Sequence, residues 1–226
     1  MVKRVATLLA LLCGLFAPVS AATTNAIPLP RPSPLKTVAP LSRALTHADI
    51  QRALVDRVSA ALSNMQTLVG DFVQIGPDGK RTEGQFYIQK PGKVRFEYNP
   101  PSPIDVIADG QSVVVRNRVL ATQDPYPLSQ TPLRFLLSDH LDLSKDTNLV
   151  SVSADASLVT IVIEEKQPLI GTHRLKLIFG ANDFQLRQWT VTDPQGYDTT
   201  VSIYNLDTSK KLDPDLFKIT YDRHLQ

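Results

Sequence analysis

The stretch GQFYIQKPGKVRFEYNPPSP, Gly84 to Pro103, alternates apolar and polar side chains twice, from Gln85 to Gln89 and again from Lys93 to Tyr98, with Lys90-Pro91-Gly92 between the two runs. A period of two sends every second side chain to the same face, so the stretch predicts two half-buried strands joined by a tight break. The inward set, Phe86, Ile88, Val94, Phe96 and Tyr98, is rich in aromatic rings, and a basic residue, Lys90, stands at the break. Pro100-Pro101 ends the second strand.

The same period continues on both sides. Asp71 to Ile75 precedes the pair; Ile104 to Ala108 and Ser112 to Arg116 come after it. A second series comprises Leu149 to Val152, Ser157 to Glu164, His173 to Phe179, Phe184 to Thr192 and Tyr197 to Asn205. The links include Pro77-Asp78-Gly79, Asp109-Gly110, Gly180 to Asp183 and Asp193 to Gly196, turn sequences with Gly or Asn available for positive φ. Links this short leave no room for crossover helices, so the sheet is an antiparallel meander. A sheet of this many strands closes into a barrel, splits into two layers, or stays partly open under a cover.

Two segments supply helices. Thr46 with Asp49 three residues on forms a capping-box start, and Ile50, Leu54, Val58, Ala61, Leu62 and Met65 then recur on one face at helical spacing. Between Arg118 and Thr147 the strand period is lost. There Leu133, Phe135, Leu136 and Leu137 come after Ser129 and Pro132 in a helix-start context, giving one or two short helices. A connection of this length in a meander is either a mobile lid or a permanent plug.

The chain opens with Lys3 and Arg4, an apolar run from Val5 to Phe16 and the small residues Val19-Ser20-Ala21, which predicts an export signal over residues 1–21. The run is too short to span a bilayer. Cys13, the one cysteine, is preceded by Leu12 and not by a small residue, so it belongs to the apolar run and is no lipidation site. The formal charge of +2 is carried by Lys3 and Arg4; the remainder of the chain is close to neutral, without the clustered excess of Lys and Arg that nucleic-acid binding requires. Residues 22–45 carry Pro28, Pro30, Pro32, Pro34 and Pro40 with few large apolar groups and read as an extended linker. Residues 46–226 are then one domain, large enough for a substantial core.

A search for catalytic chemistry finds little. His47, His140, His173 and His224 are scattered, and no P-loop, G-x-S-x-G elbow or G-x-G-x-x-G fingerprint is present. Apolar surface stands out instead. Phe72, Phe86, Ile88, Val94, Phe96 and Tyr98 can share one sheet face, and Val113, Val115, Leu175, Leu177, Phe179, Val201 and Ile203 extend it. That face is either a packed core or the wall of a hydrophobic pocket under a thin cover.

The segments GDFVQIGPDGKRTEGQFYIQKPGKVRFEY (Gly70 to Tyr98), PPSPIDVIADGQSVVVRN (Pro100 to Asn117) and TPLRFLL (Thr131 to Leu137) resemble the LolA family of periplasmic outer-membrane lipoprotein carriers, over about Thr46 to Arg223. The resemblance implies an incomplete, strongly curved antiparallel β-barrel, mainly β, with an N-terminal helix and a short helical lid enclosing a hydrophobic cavity. It implies that Phe72, Phe86, Ile88, Val94, Phe96, Tyr98, Val113, Val115, Leu133, Phe135, Leu136 and Leu137 bind acyl chains. It implies as partners lipoprotein clients, an inner-membrane ATP-driven release complex and an outer-membrane receptor, with no cofactor, no metal and no bond chemistry, the protein acting as a monomer. Well-known members of the family carry arginine where this chain has Lys90, so the resemblance makes Lys90 the expected lid latch, with a flexible stem in place of a planar fork. A related half-barrel carrier or sensor of another lipid, glycolipid or lipidated protein is the alternative. A lipid-modifying enzyme would need an inward titratable group, with Asp105, Asp109 and His173 the candidates.

Overall fold

The structure is a computed structural model that describes residues 46–167 and 171–220; the expected export signal and proline-rich linker lie outside the described residues. Helix α1, His47–Asn64, starts at the capping box expected: the Asp49 N–H donates to Thr46 Oγ1 at 3.2 Å, and the Thr46 N–H donates to an Asp49 carboxylate oxygen at 3.0 Å. Its buried stripe is Val55, Val58 and Leu62, whereas Ile50 is 46% exposed. The stripe thus starts a turn later than the spacing predicts.

Eleven strands come next: β1 (Thr67–Ile75), β2 (Arg81–Gln89), β3 (Lys93–Tyr98), β4 (Ile104–Asp109), β5 (Ser112–Asn117), β6 (Thr122–Pro127), β7 (Asn148–Ala154), β8 (Leu158–Gln167), β9 (Gly171–Gly180), β10 (Leu186–Thr192) and β11 (Asp198–Asp207). They form one antiparallel sheet in the order β6-β5-β4-β3-β2-β1-β11-β10-β9-β8-β7. Two meanders are therefore sewn together by the β1–β11 pairing. The outer strands β6 and β7 do not pair with each other, so the sheet is not closed. The chain between those edges holds a 3-10 turn (Leu128–Gln130) and two short helices, α2 (Leu133–Leu137) and α3 (Leu143–Asp146).

Inward residues from β1 to β5 and from β8 to β11 belong to one contiguous apolar cluster with α1 and α2. A sheet can bring so many strands onto one cluster only by curling around it. Register fixes which side chains face in: Phe86 stands opposite Phe96, and Ile88 opposite Val94. Two glycine positions are set by close backbone approach. At Gly84, opposite Tyr98, an added Cβ would fall inside the carbonyl oxygen of Glu97. At Gly92, φ is +75° and an added Cβ would lie 2.6 Å from Gly110 Cα, so the β2–β3 and β4–β5 turns pack backbone on backbone.

Three details depart from the sequence reading. Thr122–Pro127 is a strand, β6, inside the segment expected to be helical and irregular. Pro125 and Pro127 hide it from period and propensity alike, and they are tolerated because β6 is an edge with one side free of ladder bonds. β1 begins at Thr67, four residues before the expected start at Asp71. Phe184, expected in a strand, has φ of +53° in the turn before β10.

A further layer lies outside the sheet. The 3-10 turn Pro214–Phe217 packs on β3 and β4, and the Arg95 guanidinium donates to the Leu216 carbonyl at 3.2 Å. Ile107 and Val114, on the outward side, are buried along with Leu212 and Phe217. The tail after β11 thus straps the outer face of the half-barrel.

Candidate functional site

The concave face is built from aromatic residues that strand alternation aims inward. Phe72 meets Phe96 edge-on with ring centroids 5.2 Å apart and Tyr98 at 5.0 Å. Phe86 stacks with Phe96 at 6.0 Å, and Trp189 meets Phe96 at 6.2 Å. The Tyr98 hydroxyl donates to Gln74 Oε1 at 2.7 Å, and burial pushes its phenol up to about 12. The wall is apolar to its end and finishes in one satisfied polar bond.

Of the residues expected to touch acyl chains, Phe72, Phe86, Ile88, Val94, Phe96, Tyr98 and Val113 lie buried on this face, and Phe135, Leu136 and Leu137 are buried against it from α2. Leu133 is half-buried at its margin. Val115 faces the same way, opposite Val106, but is only half-buried and sits outside the buried cluster. The structure brings the set together in one buried cluster, in which the rings pack on one another and the α2 side chains are buried with them. Open space adjoins this interior at the end of α1, where a cleft of about 310 Å³ is lined by Leu62, Met65, Leu68, Phe179, Leu186 and Leu206. That volume is at the low end for a ligand pocket.

The cover is held by a few polar contacts. The Leu141 N–H donates to Ser63 Oγ and the Leu143 N–H to Ser59 Oγ, each at 3.1 Å, so two serines one turn apart on α1 hold the chain between α2 and α3. The Gly92 N–H donates to the Leu137 carbonyl at 2.9 Å, tying the β2–β3 turn to the end of α2. On the far side, Arg134 of α2 reaches Glu165 of β8 at 2.8 Å. Sequence reading missed Ser59, Ser63, Arg134 and Glu165. The serines carried a signal, since they lie i,i+4 beside the apolar stripe of α1; the Arg134–Glu165 pair, 31 residues apart, carried none.

Lys90 sits at the junction of these parts. It is 7% exposed, which rules out a solvated strand-end residue, and its ammonium donates to the Leu62 carbonyl in the last turn of α1 at 2.5 Å. Its side chain thus holds α1, while the lid contact from this turn is made by the Gly92 backbone. A cation at a helix C-terminus is favourably placed, yet burial pulls its ammonium down to about 8, with the Asp139 carboxylate opposing part of that drop. An unfolded lysine keeps its proton to about 10.4. Between those values the unfolded chain binds more protons than the folded one, so this group's contribution to stability rises with pH across the window and is at its least favourable below about 8. Lys90→Met removes the buried charge at the loss of the bond to the Leu62 carbonyl, and its gain in unfolding free energy relative to the wild type should be greatest at pH 7. The gain should shrink toward pH 9.5. Thermal unfolding of both proteins at pH 7 and 9.5 checks this, and a gain that does not change with pH contradicts it.

Of the three groups considered for an enzyme, Asp105 faces outward and pairs with Arg118 at 3.3 Å, and Asp109 caps its turn by accepting the Gln111 and Ser112 N–H groups at 2.9 Å. His173 faces inward, in alternation with Leu175, Leu177 and Phe179. Among the described residues no three His, Cys, Asp or Glu side chains come together as a metal site.

Residues 63–220 match the family model described as outer membrane lipoprotein carrier protein LolA. An outer-membrane lipoprotein carrier protein of Methylococcus capsulatus is 28% identical over 173 residues, covering 73% of this chain and 82% of its own length. A protein of the same description from Pseudomonas paraeruginosa is 27% identical over 194 residues, covering 80% of this chain and 89% of its own. Among solved structures, a LolA superfamily protein from Nitrosomonas europaea overlaps 73% of this chain and 97% of its own, with a TM-score of 0.40 at 9% identity.

Proposed function

The chain belongs to the LolA family of outer-membrane lipoprotein carriers, and from that premise we propose that it carries lipoproteins through the periplasm with their acyl chains against the concave aromatic face. The observation that supports this most is the cover itself: buried apolar residues of α2, held down by a handful of hydrogen bonds and one ion pair.

The magnitudes fit a carrier. An acyl chain of about 15 methylenes costs roughly 12 kcal/mol to expose to water, so it cannot cross an aqueous space unaided. Opening the cover breaks three backbone hydrogen bonds and one ion pair, together about 2–6 kcal/mol. It also lifts Phe135, Leu136 and Leu137 from the rings, and an entering chain replaces that apolar contact with its own. The exchange of one hydrocarbon for another is close to balanced, which leaves binding strong enough to shield and weak enough to release. A cargo-free cavity would expose apolar wall to water; the closed interior avoids this by filling itself.

In this reading Lys90 fixes the end of α1 against the turn that grips α2, so that α1 and the cover open from a common base. Loading comes from an inner-membrane release complex, and unloading goes to an outer-membrane receptor. The role needs no bond-breaking chemistry. The test is retention in solution: a triacylated lipoprotein diluted from detergent into the purified protein should stay in the supernatant as a complex. A lipoprotein that pellets as it does without the protein, while a known family carrier retains it, would overturn the reading.

A further inference from the structure

Toward the end of β8 and the start of β9, beside α2, the concave face changes character. Strands β8 and β9 send Val159, Ile161, Ile163, Leu175, Leu177 and Phe179 inward, all buried. The next inward position on each strand is polar: Glu165 and His173, directly opposite each other in register. Facing side chains in such a pair lie about 5 Å apart. Arg134 of α2 comes down on Glu165 at 2.8 Å, and its guanidinium lies 4.1 Å over the Phe135 ring. Three polar groups therefore meet where the cover joins the wall.

The hydrogen bonds of this group are incomplete. Both ring nitrogens of His173 are buried without a partner among the described residues, and so is Arg134 Nε. Buried polar atoms in folded proteins nearly always find partners, and leaving one without costs about 1–3 kcal/mol. A site built to hydrogen-bond a ligand shows this pattern when the ligand is away. A neutral imidazole offers one donor and one acceptor, and Arg134 Nε–H adds a donor. Their complement has carbonyl acceptors and one N–H donor but no charge, since the Arg134–Glu165 pair is already balanced.

From this we infer that Arg134 and His173 form a polar subsite for the ester and amide carbonyls at which acyl chains join the head of a lipid-modified polypeptide. The inference rests on the carrier reading: the chains lie along the aromatic face and their linkages reach this end. The subsite gives the carrier a means of telling an acylated head from bare hydrocarbon, which the aromatic wall alone cannot do. It also places the linkages beside the Arg134–Glu165 contact, so that a correctly seated head completes the hydrogen bonding of the closed cover.

The test compares two probes, a synthetic triacylated lipopeptide with two ester-linked chains and its analogue in which both ester carbonyls are replaced by ether methylenes. The full-length mature protein should bind the ester probe about tenfold more tightly than the ether probe, the equivalent of one lost buried hydrogen bond. His173→Phe should bring the ratio close to one while ether binding is retained, and His173→Gln, which keeps a donor and an acceptor, should restore part of it. Equal binding of both probes by the wild type overturns the subsite and leaves the carrier reading standing. An undiminished ratio in His173→Phe removes His173 from the subsite and overturns the inference as stated. Binding of neither probe refutes the carrier reading and the subsite with it.

Discussion

Replacing Phe72 with alanine lowers the unfolding free energy by about 3–5 kcal/mol. The ring is fully buried and meets both Phe96 and Tyr98 edge-on, so its removal deletes two aromatic contacts and leaves a void among side chains that are themselves inaccessible. β1 is also the strand that joins the two meanders, with Phe72 paired to Gly84 on one side and to Ile203 on the other. Strand pairing resists collapse around the gap, which keeps the cost at the upper end of the range. Denaturant unfolding measures it, and a loss under about 1 kcal/mol contradicts the packing described. The variant has a second signature. The void is apolar and adjoins the space assigned to acyl chains, so a lipopeptide should raise the melting temperature of Phe72→Ala by more than it raises that of the wild type.

Gly84→Ala is the other severe change, by a different mechanism. The added methyl points at the backbone of β3, where the Glu97 carbonyl carbon lies 2.8 Å away and Tyr98 Cα 2.9 Å away. No rotamer relieves a clash between a Cβ and a neighbouring main chain, so β2 and β3 must part or shift register. Overpacking of this kind costs about 3 kcal/mol, at the top of its usual range. The same substitution at Gly79, where none of the described residues lies within 4 Å but φ is +74°, costs only the left-handed conformation. A Gly84→Ala protein as stable as a Gly79→Ala protein would contradict the β2–β3 register.

These two residues show where the sequence was informative. Phe72 and the inward aromatics of β2 and β3 were legible because alternation is a local signal that burial on one face imposes. The antiparallel meander came from link length alone. Strand β6 was not legible, because an edge strand tolerates Pro125 and Pro127, and their presence looks like a loop. The outer strap was hidden for another reason: Phe217 lies in a short 3-10 turn that packs on the far side of β3 and β4, more than 100 residues earlier. The site divides in the same way. Its apolar wall and the buried residues of α2 were readable as pattern. The contacts that close it, Ser59, Ser63 and the Arg134–Glu165 pair, depend on which strands become neighbours. Lys90 was singled out correctly as unusual, but its partner is the Leu62 carbonyl of α1, a backbone atom that no sequence pattern marks.

The closed interior and the carrier role are compatible because hydrocarbon replaces hydrocarbon. On the proposed reading, a pocket held permanently open would expose aromatic wall to water, whereas one covered by α2 remains protected until cargo arrives. On that reading the polar contacts at the rim, small in total beside the apolar terms, would decide which of two nearly equal fillings prevails. The buried Lys90 charge belongs to the same set of small terms, since its desolvation offsets part of what its bond to the Leu62 carbonyl contributes at neutral pH.

The central claim is that acyl chains lie against the concave aromatic face, and the protein carries its own reporter. Trp189 is the single tryptophan; it is 3% exposed and its ring lies 6.2 Å from that of Phe96. Bromine atoms on a lipid chain quench tryptophan fluorescence only at short range. A triacylated lipopeptide with brominated chains should quench most of the Trp189 emission, while the unbrominated lipopeptide, bound equally well, should leave it nearly unchanged. Soluble complex formation with both probes and no difference in Trp189 emission would place the chains elsewhere and contradict the account.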